Sequence, residues 1–320
     1  MRAVVVTETG GPEVLVTAEH PDPVPGPGEV VVETAAAGVN FIDIYRRTGV
    51  YAQPLPYVPG HEGSGTVVAV GQGVTDVAVG DRVAWHDAPG SYAERVVVPA
   101  ALTVPVPDGT DLIAAAAVML QGMTAHYLCR STFEVKPGTV TVVHAAAGGV
   151  GLLLTQMIKT LGGTVIATTS GGAKAGLAEQ AGADYVTGYD EFGAVVEQVT
   201  DGRGADVVYD GVGKATFDAG LAALRPRGIM VLFGGSSGQV PPLDPQRLNS
   251  GGSLFLTRPT LANYTADREE LLWRATDVLD AVGRGELNVR IGVEYSLAHA
   301  PRAHEDLAAR RTTGKLLLIP

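Results

Sequence analysis

The sequence predicts an α/β protein with two domains: a β-rich domain and a domain built on a doubly wound parallel sheet. Residues 1–122 contain short β-type runs separated by glycine and proline, which is typical of an irregular β-rich domain. Residues 123–264 alternate β-type runs with helical runs, and this alternation indicates a parallel sheet covered by helices. Residues 265–320 end in a β-type run that we expect to return to the first domain. A chain of 320 residues is long enough for both domains.

Each element is predicted from its own residue pattern. In the first domain, strands are expected at residues 29–33, 65–70, 81–85 and 92–98, with a short helix at residues 41–46. In the second domain, strands are expected at residues 139–144, 164–168, 184–187, 205–209, 228–233 and 253–257. Six strands complete the two halves of a doubly wound sheet. A helix over residues 267–283 begins with an acidic turn, and residues 315–320 form the closing strand.

A glycine-rich turn in the second domain is the most informative motif. Residues 146–151 read Ala-Ala-Gly-Gly-Val-Gly, a variant of G-x-G-x-x-G, and lie between the strand at 139–144 and an apolar helical run at 152–161. In this context Gly148 lets a pyrophosphate approach the backbone, and Gly151 lets the helix pack on the strand. The pyrophosphate then meets the free N–H groups at the start of the helix. We therefore expect dinucleotide binding by the turn residues Ala147, Gly148, Gly149, Val150 and Gly151.

The residues after the second strand of this domain indicate which dinucleotide is bound. A site for NAD usually has an acidic residue there, about 20 residues after the glycine-rich turn, on the ribose 2′-hydroxyl. This sequence has no Asp or Glu between Glu134 and Glu179. Thr169 and Ser170 instead offer hydroxyl groups, and Lys174 offers a positive charge. Because these groups favour a 2′-phosphate that a carboxylate would repel, the sequence predicts NADPH.

Composition excludes several other classes of protein. The net charge of −11 argues against a nucleic-acid-binding surface, because such surfaces carry clustered positive charge. Cys129 is the only cysteine, so the chain forms no internal disulfide and no four-cysteine zinc site. A single cysteine suits a reducing compartment, and we expect a cytoplasmic protein. No apolar run approaches the length that spans a membrane, so no membrane partner is expected.

Several further motifs give the chain a resemblance to a known family over essentially its whole length. They comprise Gly38-Val39-Asn40-Phe41-Ile42-Asp43-Ile44-Tyr45, Leu120-Gln121-Gly122-Met123-Thr124-Ala125, the glycine-rich turn, Val208-Tyr209-Asp210-Gly211-Val212-Gly213 and Phe233-Gly234-Gly235-Ser236-Ser237-Gly238. With these motifs the chain resembles the zinc-free quinone oxidoreductases, or zeta-crystallin-like proteins, of the medium-chain dehydrogenase/reductase superfamily. The resemblance implies an N-terminal GroES-like catalytic domain, a Rossmann domain, NADPH as the hydride donor, and a homodimer.

The resemblance also implies contacts between particular residues and the cofactor. Asn40 and Thr124 would lie near the nicotinamide. Lys174 and Tyr189 would hold the 2′-phosphate and the adenosine end. Further residues would line the cofactor groove or reach it from later segments: Gly211, Val212, Phe233, Gly234, Ser236, Arg258 and Arg311. Structural alternatives remain, since Asn40 could cap the helix that follows it and Arg311 could be an ordinary charged residue of a solvated helix.

The metal ligands of the zinc-dependent members of this superfamily are incomplete in this sequence. Their first cysteine corresponds to Asn40, and another cysteine falls near Leu120, which cannot ligate a metal. The Gly-His-Glu motif is present at residues 60–62, but a catalytic zinc site needs three protein ligands. We therefore expect an enzyme without a metal, in which His61 is a packed or hydrogen-bonded polar residue.

A site without a metal suits a substrate that is already electrophilic. Quinones and conjugated enones meet this condition, and holding the nicotinamide against the substrate lowers much of the barrier. The developing oxyanion still needs a hydrogen-bond donor, and Tyr45, Tyr51 and Tyr57 are expected to cluster in a loop that faces the nicotinamide. Their alternative role is packing with satisfied hydroxyls. The catalytic residues are predicted to be Asn40, Tyr51 and Gln121, in a cleft between the domains.

The sequence thus favours NADPH-dependent quinone reduction and leaves two alternatives open. An enone or alkenal double-bond reductase needs the same hydride geometry and an apolar pocket, so the residues do not separate it from a quinone reductase. A catalytically weak NADPH-binding protein is the second alternative. The intact glycine-rich turn and Asn40 argue against it.

Overall fold

The computed structural model describes every residue from Met1 to Pro320. It divides the chain into two compact units, one formed by Met1–Met123 together with Thr265–Pro320 and the other by Thr124–Tyr264. The chain therefore leaves the first unit once and later returns to it.

The secondary structure follows the chain in this order. The strands are β1 (Arg2–Val5), β2 (Val16–Glu19), β3 (Glu29–Val39), β4 (Gly63–Val70), β5 (Arg82–Trp85), β6 (Arg95–Pro99), β7 (Val104–Pro105), β8 (Val140–Val143), β9 (Thr164–Thr168), β10 (Tyr185–Thr187), β11 (Ala205–Asp210), β12 (Leu224–Leu232), β13 (Phe255–Thr257), β14 (Ile291–Ser296) and β15 (Lys315–Ile319). The α-helices are α1 (Phe41–Arg47), α2 (Leu112–Tyr127), α3 (Gly149–Thr160), α4 (Ala173–Gln180), α5 (Phe192–Val199), α6 (Phe217–Ala222), α7 (Gln246–Ser250), α8 (Arg268–Gly283) and α9 (Ala300–Ala308).

Strand β3 is the centre of the main sheet of the first unit. The strand order is β14-β15-β3-β4-β5-β7, and β6 also pairs with β3. Val30 and Val32 of β3 are fully buried in an apolar cluster with Trp85. The closing strand β15 runs antiparallel to β3, with Leu317 opposite Gly38. The leucines of β15 are buried against the core of this unit. The hydrophobic effect of this burial holds the end of the chain there.

The second unit is the doubly wound parallel sheet that the sequence predicts. Its strand order is β10-β9-β8-β11-β12-β13, and every neighbouring pair is parallel. This is the 3-2-1-4-5-6 order of a dinucleotide-binding sheet. Strands β8 and β11 are buried along their whole length, as expected for central strands of a parallel sheet. The strand order reverses beside β8, so a ligand crevice is expected at the carboxyl end of that strand.

Strand β12 begins earlier than its residue pattern predicts. The pattern indicates a strand over residues 228–233, whereas pairing with β11 already begins at Leu224, opposite Ala205. The register of the pairing then shifts, and Arg227, in the bulge, has a left-handed backbone conformation with φ of 60°. The Arg-Pro-Arg-Gly stretch therefore looks like a turn in the sequence but belongs to a bulged strand.

Helix α2 contradicts the expectation that no apolar run approaches membrane-spanning length. Together with the π-helical turn that follows it, it covers Leu112–Thr132, 21 residues that are long and apolar enough to cross a membrane by length and composition alone. However, 72% of its most apolar window is buried inside the protein. A core helix that is apolar on all sides passes the same test. The expectation was wrong because it considered only uninterrupted apolar runs.

Candidate active site

Asn40 lies where the central strand of the first unit meets its first helix. β3 ends at the residue before it and α1 begins at the residue after it. Its backbone N–H donates to Asp43 Oδ2 at 2.9 Å. Its buried side chain is bonded at both ends, because Nδ2 donates to Glu62 Oε2 at 2.9 Å and Oδ1 accepts from Lys315 Nζ at 2.8 Å. The carboxamide is therefore held in one orientation.

Glu62 and Lys315 form a buried ion pair beside Asn40. Their side chains are 0% and 1% exposed, and Lys315 Nζ donates to Glu62 Oε2. The other carboxylate oxygen, Oε1, accepts the backbone N–H of Leu120 at 2.6 Å. Gly38 makes room for the pair, since a Cβ at that position would collide with the Glu62 carboxylate and the Lys315 side chain. The ion pair thus links the end of β3, helix α2 and strand β15.

A second buried hydrogen-bond network starts at Asp43. The Tyr92 hydroxyl donates to Asp43 Oδ2 at 3.0 Å and lies 3.1 Å from His304 Nε2. Burial raises the pKa of Asp43 from 3.8 to about 6, against the lowering effect of the Asn40 N–H and the Tyr92 hydroxyl. Burial, with a smaller effect of Arg47, lowers the pKa of His304 to about 3. His304 is therefore a neutral imidazole at neutral pH.

Tyr45, Tyr51 and Tyr57 have different surroundings in the structure. Tyr51 packs edge-on against Tyr45, with ring centroids 5.6 Å apart, and 46% of Tyr51 is exposed. The ring of Tyr45 lies 6.4 Å from that of Phe41. Tyr57 instead forms a backbone bridge with Val6 and packs on the apolar core with its hydroxyl buried. The Tyr57 hydroxyl is thus buried, and the expectation that these tyrosines face the nicotinamide stays a prediction.

Gln121 and Thr124 both lie on helix α2. Their separation of three residues puts them on the same face of that helix. Gln121 is half-buried and Thr124 is buried. Gln121 follows Leu120, whose N–H donates to Glu62. The backbone before Gln121 is therefore bonded to the same carboxylate as Asn40. The roles of Gln121 and Thr124 towards substrate and nicotinamide stay predictions.

The residues that correspond to zinc ligands do not form a ligand set. No three His, Cys, Asp or Glu side chains are placed to hold one metal ion. His61 is buried, its Nδ1 has no hydrogen-bond partner, and burial lowers its pKa to about 4. Asn40 and Glu62 bind the ammonium group of Lys315. Catalysis without a metal stays a prediction.

The glycine-rich turn of the second unit joins β8 to α3. Ala145 takes a left-handed conformation with φ of 53°, and Gly148 is the last residue before the helix. No side chain caps the start of α3, which leaves its first N–H groups available to a ligand. A Cβ on Gly151 would stand 2.5 Å from the Ala145 carbonyl oxygen, so only glycine allows the helix to lie this close to the turn. These features fit a pyrophosphate.

The residues predicted to bind the cofactor in the second unit lie at one edge of its sheet. Because all six strands are parallel, their carboxyl ends meet at the same edge. Each predicted group follows the end of one strand, from β8 to β13 in turn: Ala147–Gly151, then Thr169, Ser170 and Lys174, then Tyr189, then Gly211 and Val212, then Phe233, Gly234 and Ser236, and finally Arg258. Open parallel sheets bind their ligands at this edge.

The loop after β9 carries the predicted contacts to a 2′-phosphate. Thr169 is buried and its hydroxyl accepts the N–H of Gly171 at 3.1 Å, so Thr169 mainly shapes the loop. Ser170 is exposed, and Lys174 lies in the first turn of α4. Gly171 and Gly172 both have positive φ, and no atom lies within 4 Å of where their Cβ atoms would be. An open loop with a hydroxyl and a lysine fits a phosphate group.

Asp210 stabilises the loop after β11, a role that its sequence motif alone did not predict. Its buried Oδ1 accepts the N–H groups of Val212 and Gly213 at 2.7 and 2.9 Å, and Oδ2 accepts the Thr216 hydroxyl at 2.8 Å. An Asp directly before Gly-Val-Gly was the available signal, because such a side chain bonds the backbone two and three residues later. Asp210 thus holds the backbone that is predicted to line the cofactor groove.

The loops after β11 and β12 pack directly on each other. The N–H of Ser237 donates to the Val212 carbonyl at 2.8 Å. A Cβ on Gly234 would lie 2.5 Å from the Gly211 carbonyl oxygen, and one on Gly211 would lie 3.0 Å from the Phe233 ring. The glycines at these two positions therefore allow the loops to approach this closely.

His144, at the end of β8, is a buried structural residue. Its Nδ1 lies 2.8 Å from Thr168 Oγ1, and its ring packs edge-on against Phe192 with centroids 4.8 Å apart. Burial lowers its pKa to about 4, so the ring is neutral at neutral pH. The centroid of the Tyr189 ring lies 6.0 Å from that of the His144 ring.

The two arginines with predicted cofactor roles lie in different units. Arg258 follows β13, and its Nη1 donates to the Pro259 carbonyl at 3.3 Å. Arg311 follows α9 in the first unit and pairs with Asp306 at 3.1 Å, while Arg302 pairs with the same carboxylate at 2.9 Å. This pairing favours the structural alternative for Arg311, and its contact with the cofactor stays a prediction.

Family models match both parts of the chain. A model described as an alcohol dehydrogenase GroES-like domain matches residues 26–108, and a model described as a zinc-binding dehydrogenase matches residues 149–270. A GroES-like domain combined with a doubly wound dinucleotide-binding sheet defines a medium-chain dehydrogenase/reductase, so the predicted fold class is confirmed.

Individual relatives narrow the class to one family. A quinone oxidoreductase of Pseudomonas aeruginosa is 45% identical over 317 residues, which is 97% of each chain. A 2-haloacrylate reductase of a Burkholderia species is 40% identical over 99% of this chain and 98% of its own. The crystal structure of the Escherichia coli quinone oxidoreductase complexed with NADPH matches with a TM-score of 0.96 and 39% identity, covering 100% of both chains. The chain belongs to the quinone oxidoreductase family of the medium-chain dehydrogenases/reductases, as its motifs indicate.

Proposed function

We propose that this protein is an NADPH-dependent quinone reductase that works without a metal. The observation that carries the proposal is the carboxyl edge of the second unit's sheet, where the glycine-rich turn, the open loop after β9 and the loop braced by Asp210 together suit a dinucleotide. Membership of the family supports the reaction, since relatives that cover nearly the whole chain are quinone oxidoreductases. A relative with the same fold binds NADPH.

Residues of this chain would hold each part of NADPH. The turn Ala147–Gly151 would take the pyrophosphate at the start of α3. Ser170 and Lys174 would take the 2′-phosphate, and Asn40 and Thr124 would lie near the nicotinamide. The remaining proposed contacts are Thr169, Tyr189, Gly211, Val212, Phe233, Gly234, Ser236, Arg258 and Arg311. NADPH, when bound, supplies the hydride.

Few polar groups serve the substrate in this proposal. Tyr51 is exposed, Gln121 is half-buried, and the side chain of Asn40 is hydrogen-bonded to two partners. A quinone carbon is already electrophilic, so positioning and one hydrogen-bond donor to the developing oxyanion lower the barrier without a Lewis acid. Tyr51 would supply that donor and an aromatic wall.

The hydroquinone anion that hydride addition produces must gain one proton. His61 and His304 are poor donors because their pKa values, about 4 and about 3, leave both rings neutral at neutral pH. Asp43 is buried and bonded to Tyr92 and to the backbone of Asn40. We propose that solvent supplies the proton, which needs no dedicated acid in the protein.

A double-bond reductase is the second candidate, and one observation favours it. The relative from Burkholderia is a 2-haloacrylate reductase, and an acrylate has a carbon–carbon double bond conjugated to its carboxyl group. Hydride addition to such a bond needs the same cofactor geometry and also yields a stabilised anion. The two activities therefore differ in the substrate pocket and share the hydride donor.

One assay separates these functions. NADPH oxidation is measured with a panel of quinones, conjugated enones and haloacrylates, and NADPH binding is measured separately by fluorescence titration. We expect quinones to give the highest kcat/KM. A clear preference for enones or haloacrylates would make the protein a double-bond reductase. Tight NADPH binding without turnover of any of them would make it a catalytically weak NADPH-binding protein.

We also propose that the protein is a cytoplasmic homodimer. Strand β13 ends the sheet of the second unit at an unpaired edge, and Phe255 on that strand is 59% exposed. An exposed edge strand with a large apolar side chain is a surface that a second copy can cover. Light scattering should give twice the mass of one chain, and Phe255→Lys should shift the protein towards the monomer. The buried single cysteine, Cys129, suits a reducing compartment.

A further inference from the structure

We propose that the buried ion pair of Glu62 and Lys315 is a positioning device for Asn40, which fixes the direction in which the Asn40 carboxamide faces a bound ligand. The proposal rests on the proposed function, in which Asn40 lies near the nicotinamide. Glu62 and Lys315 act through Asn40, so they are positioning residues.

The charges of the pair determine where the oxygen and the nitrogen of the Asn40 carboxamide lie. An asparagine side chain can turn by half a rotation and exchange its oxygen and nitrogen at almost no steric cost. An ammonium group only donates hydrogen bonds and a carboxylate only accepts them. Lys315 Nζ bonds Oδ1 at 2.8 Å and Glu62 Oε2 bonds Nδ2 at 2.9 Å, so a turned Asn40 would face both charges with the wrong atom.

The pair is itself held by the backbone of three elements. Glu62 Oε1 accepts the N–H of Leu120 on α2, which leaves Oε2 for Lys315 and Asn40. Lys315 is the first residue of β15, and its neighbour Leu316 lies opposite Val39, the residue before Asn40. Strand pairing therefore brings Lys315 to Asn40 across 275 positions of the sequence.

Stability alone does not account for this arrangement. A buried ion pair is often no more stabilising than apolar side chains of the same volume, because both charges lose their hydration. The fold also gives up a side chain at Gly38, where any Cβ would collide with Glu62. What the charges provide, and apolar side chains would not, is a fixed direction for a polar group.

The first test follows Asn40 in the protein without any ligand. The chain has four asparagines, Asn40, Asn249, Asn263 and Asn288, so labelling with 15N-asparagine gives few side-chain amide signals. The Asn40 signal is identified by its loss in Asn40→Ala. We expect its amide protons to exchange with water at least about tenfold more slowly than those of the exposed Asn249. We expect Glu62→Gln/Lys315→Met, which leaves no unpaired charge buried, to remove most of this protection.

The second test uses both charges at once. Glu62→Gln/Lys315→Met keeps the shape of the pair and leaves no unpaired charge buried, so this variant should fold where a single substitution does not. With a quinone substrate, we expect its kcat/KM to fall by about tenfold, because a small misplacement of a contact group already has such an effect. In an Asn40→Ala background, the same double substitution should change kcat/KM by less than about twofold.

A matched control is the buried cation of helix α8 in the same unit. Arg274 is fully buried and paired with Glu270, four residues before it on the same helix. Arg274→Met should leave the Asn40 amide signal and kcat/KM unchanged, whatever it does to the melting temperature.

Two results would overturn the proposal. One is rapid exchange of the Asn40 amide protons in the unsubstituted protein, equal to that of Asn249. The other is a double substitution that lowers kcat/KM by the same factor with and without Asn40, since the pair would then act independently of Asn40. The exchange measurement needs neither NADPH nor substrate, so it still tests whether the ion pair fixes the Asn40 side chain if the protein does not reduce quinones.

Discussion

The carbonyl oxygen of Ala145 lies 2.5 Å from the position that a Cβ on Gly151 would occupy. Gly151→Ala must therefore push helix α3 away from the turn that precedes it. We expect a loss of about 1–3 kcal/mol in the free energy of unfolding, measured by urea denaturation, because overpacking against rigid backbone has this magnitude. NADPH binding should weaken as well, since the start of α3 moves.

Gly176→Ala is the matched control. Gly176 lies inside helix α4, and no atom lies within 4 Å of its Cβ position. Alanine there should stabilise the protein by about 0.5–1 kcal/mol. Equal effects of the two substitutions would show that the close approach at Gly151 is not present in solution.

Lys174→Ala should weaken the binding of NADPH and leave that of NADH nearly unchanged. The reason is the loss of a charge-assisted bond to the 2′-phosphate, about 1.5–3 kcal/mol, or roughly tenfold to a hundredfold in affinity. Fluorescence titration with both cofactors measures the effect. Lys136→Ala, which removes an exposed lysine paired with Glu134, should not change the ratio of the two affinities. Equal weakening of both cofactors by Lys174→Ala would remove Lys174 from the phosphate site.

The purified protein should contain no stoichiometric zinc and should keep its activity after treatment with a chelator. The family resemblance implies that Asn40 replaces a zinc-ligating cysteine, and no three metal-binding side chains are placed around one point. Elemental analysis and an assay before and after chelation test this. Zinc at one equivalent, with activity lost on its removal and restored by its return, would contradict the prediction.

Tyr51→Ala should lower kcat/KM for quinones more than Tyr51→Phe. Phenylalanine keeps the aromatic wall and removes only a hydroxyl donor, a loss of about 0.5–1.5 kcal/mol for a neutral hydrogen bond. Alanine removes the wall too, together with the edge-on packing on Tyr45. Tyr185→Phe is the control, since this exposed tyrosine lies on β10. Unchanged kinetics in both Tyr51 variants would exclude Tyr51 from the substrate site.

The free energy of unfolding should fall as the pH is lowered from 6.5 towards 4. Burial holds the pKa of His61 at about 4 and that of His304 at about 3, below the ordinary value of 6.5. In this range the unfolded chain binds protons that the folded protein does not bind, so stability that is complete above pH 6.5 is lost on acidification. Each histidine adds about 1.4 kcal/mol per pH unit to the slope. His304→Gln should make the profile shallower.

Asp43 changes the pH dependence of the free energy of unfolding in the opposite direction. Burial raises its pKa in the folded protein to about 6, above the ordinary 3.8. Between these values the folded protein holds a proton that the unfolded chain has lost. The contribution of Asp43 is therefore complete below pH 3.8 and disappears as the pH rises through about 6. Asp43→Asn should steepen the acid-induced loss of stability. Urea denaturation across this pH range checks both variants, and parallel profiles for all three proteins would refute the assigned pKa shifts.

The sequence by itself determined the features that depend on neighbouring residues. The glycine-rich turn follows a strand and precedes a helix within a short stretch, and the spacing of apolar residues and glycines defines all three. The same holds for the six parallel strands, whose carboxyl ends then had to meet at one edge. Local patterns predicted the start of β12 wrongly, because that strand begins with a bulge, and they missed the length of the buried apolar segment that contains α2.

Only the tertiary structure decided which distant side chains meet. Lys315 bonds Asn40 across 275 positions and Glu62 across 253, and no local pattern carries that information. Asp43, Tyr92 and His304 meet for the same reason. Tyr57 pairs with Val6, just after β1, through a backbone bridge that joins distant parts of the sequence. Residue types can name candidates for a site, but the burial that shifts a pKa and the partner that orients a side chain arise only when strands pair across the whole chain.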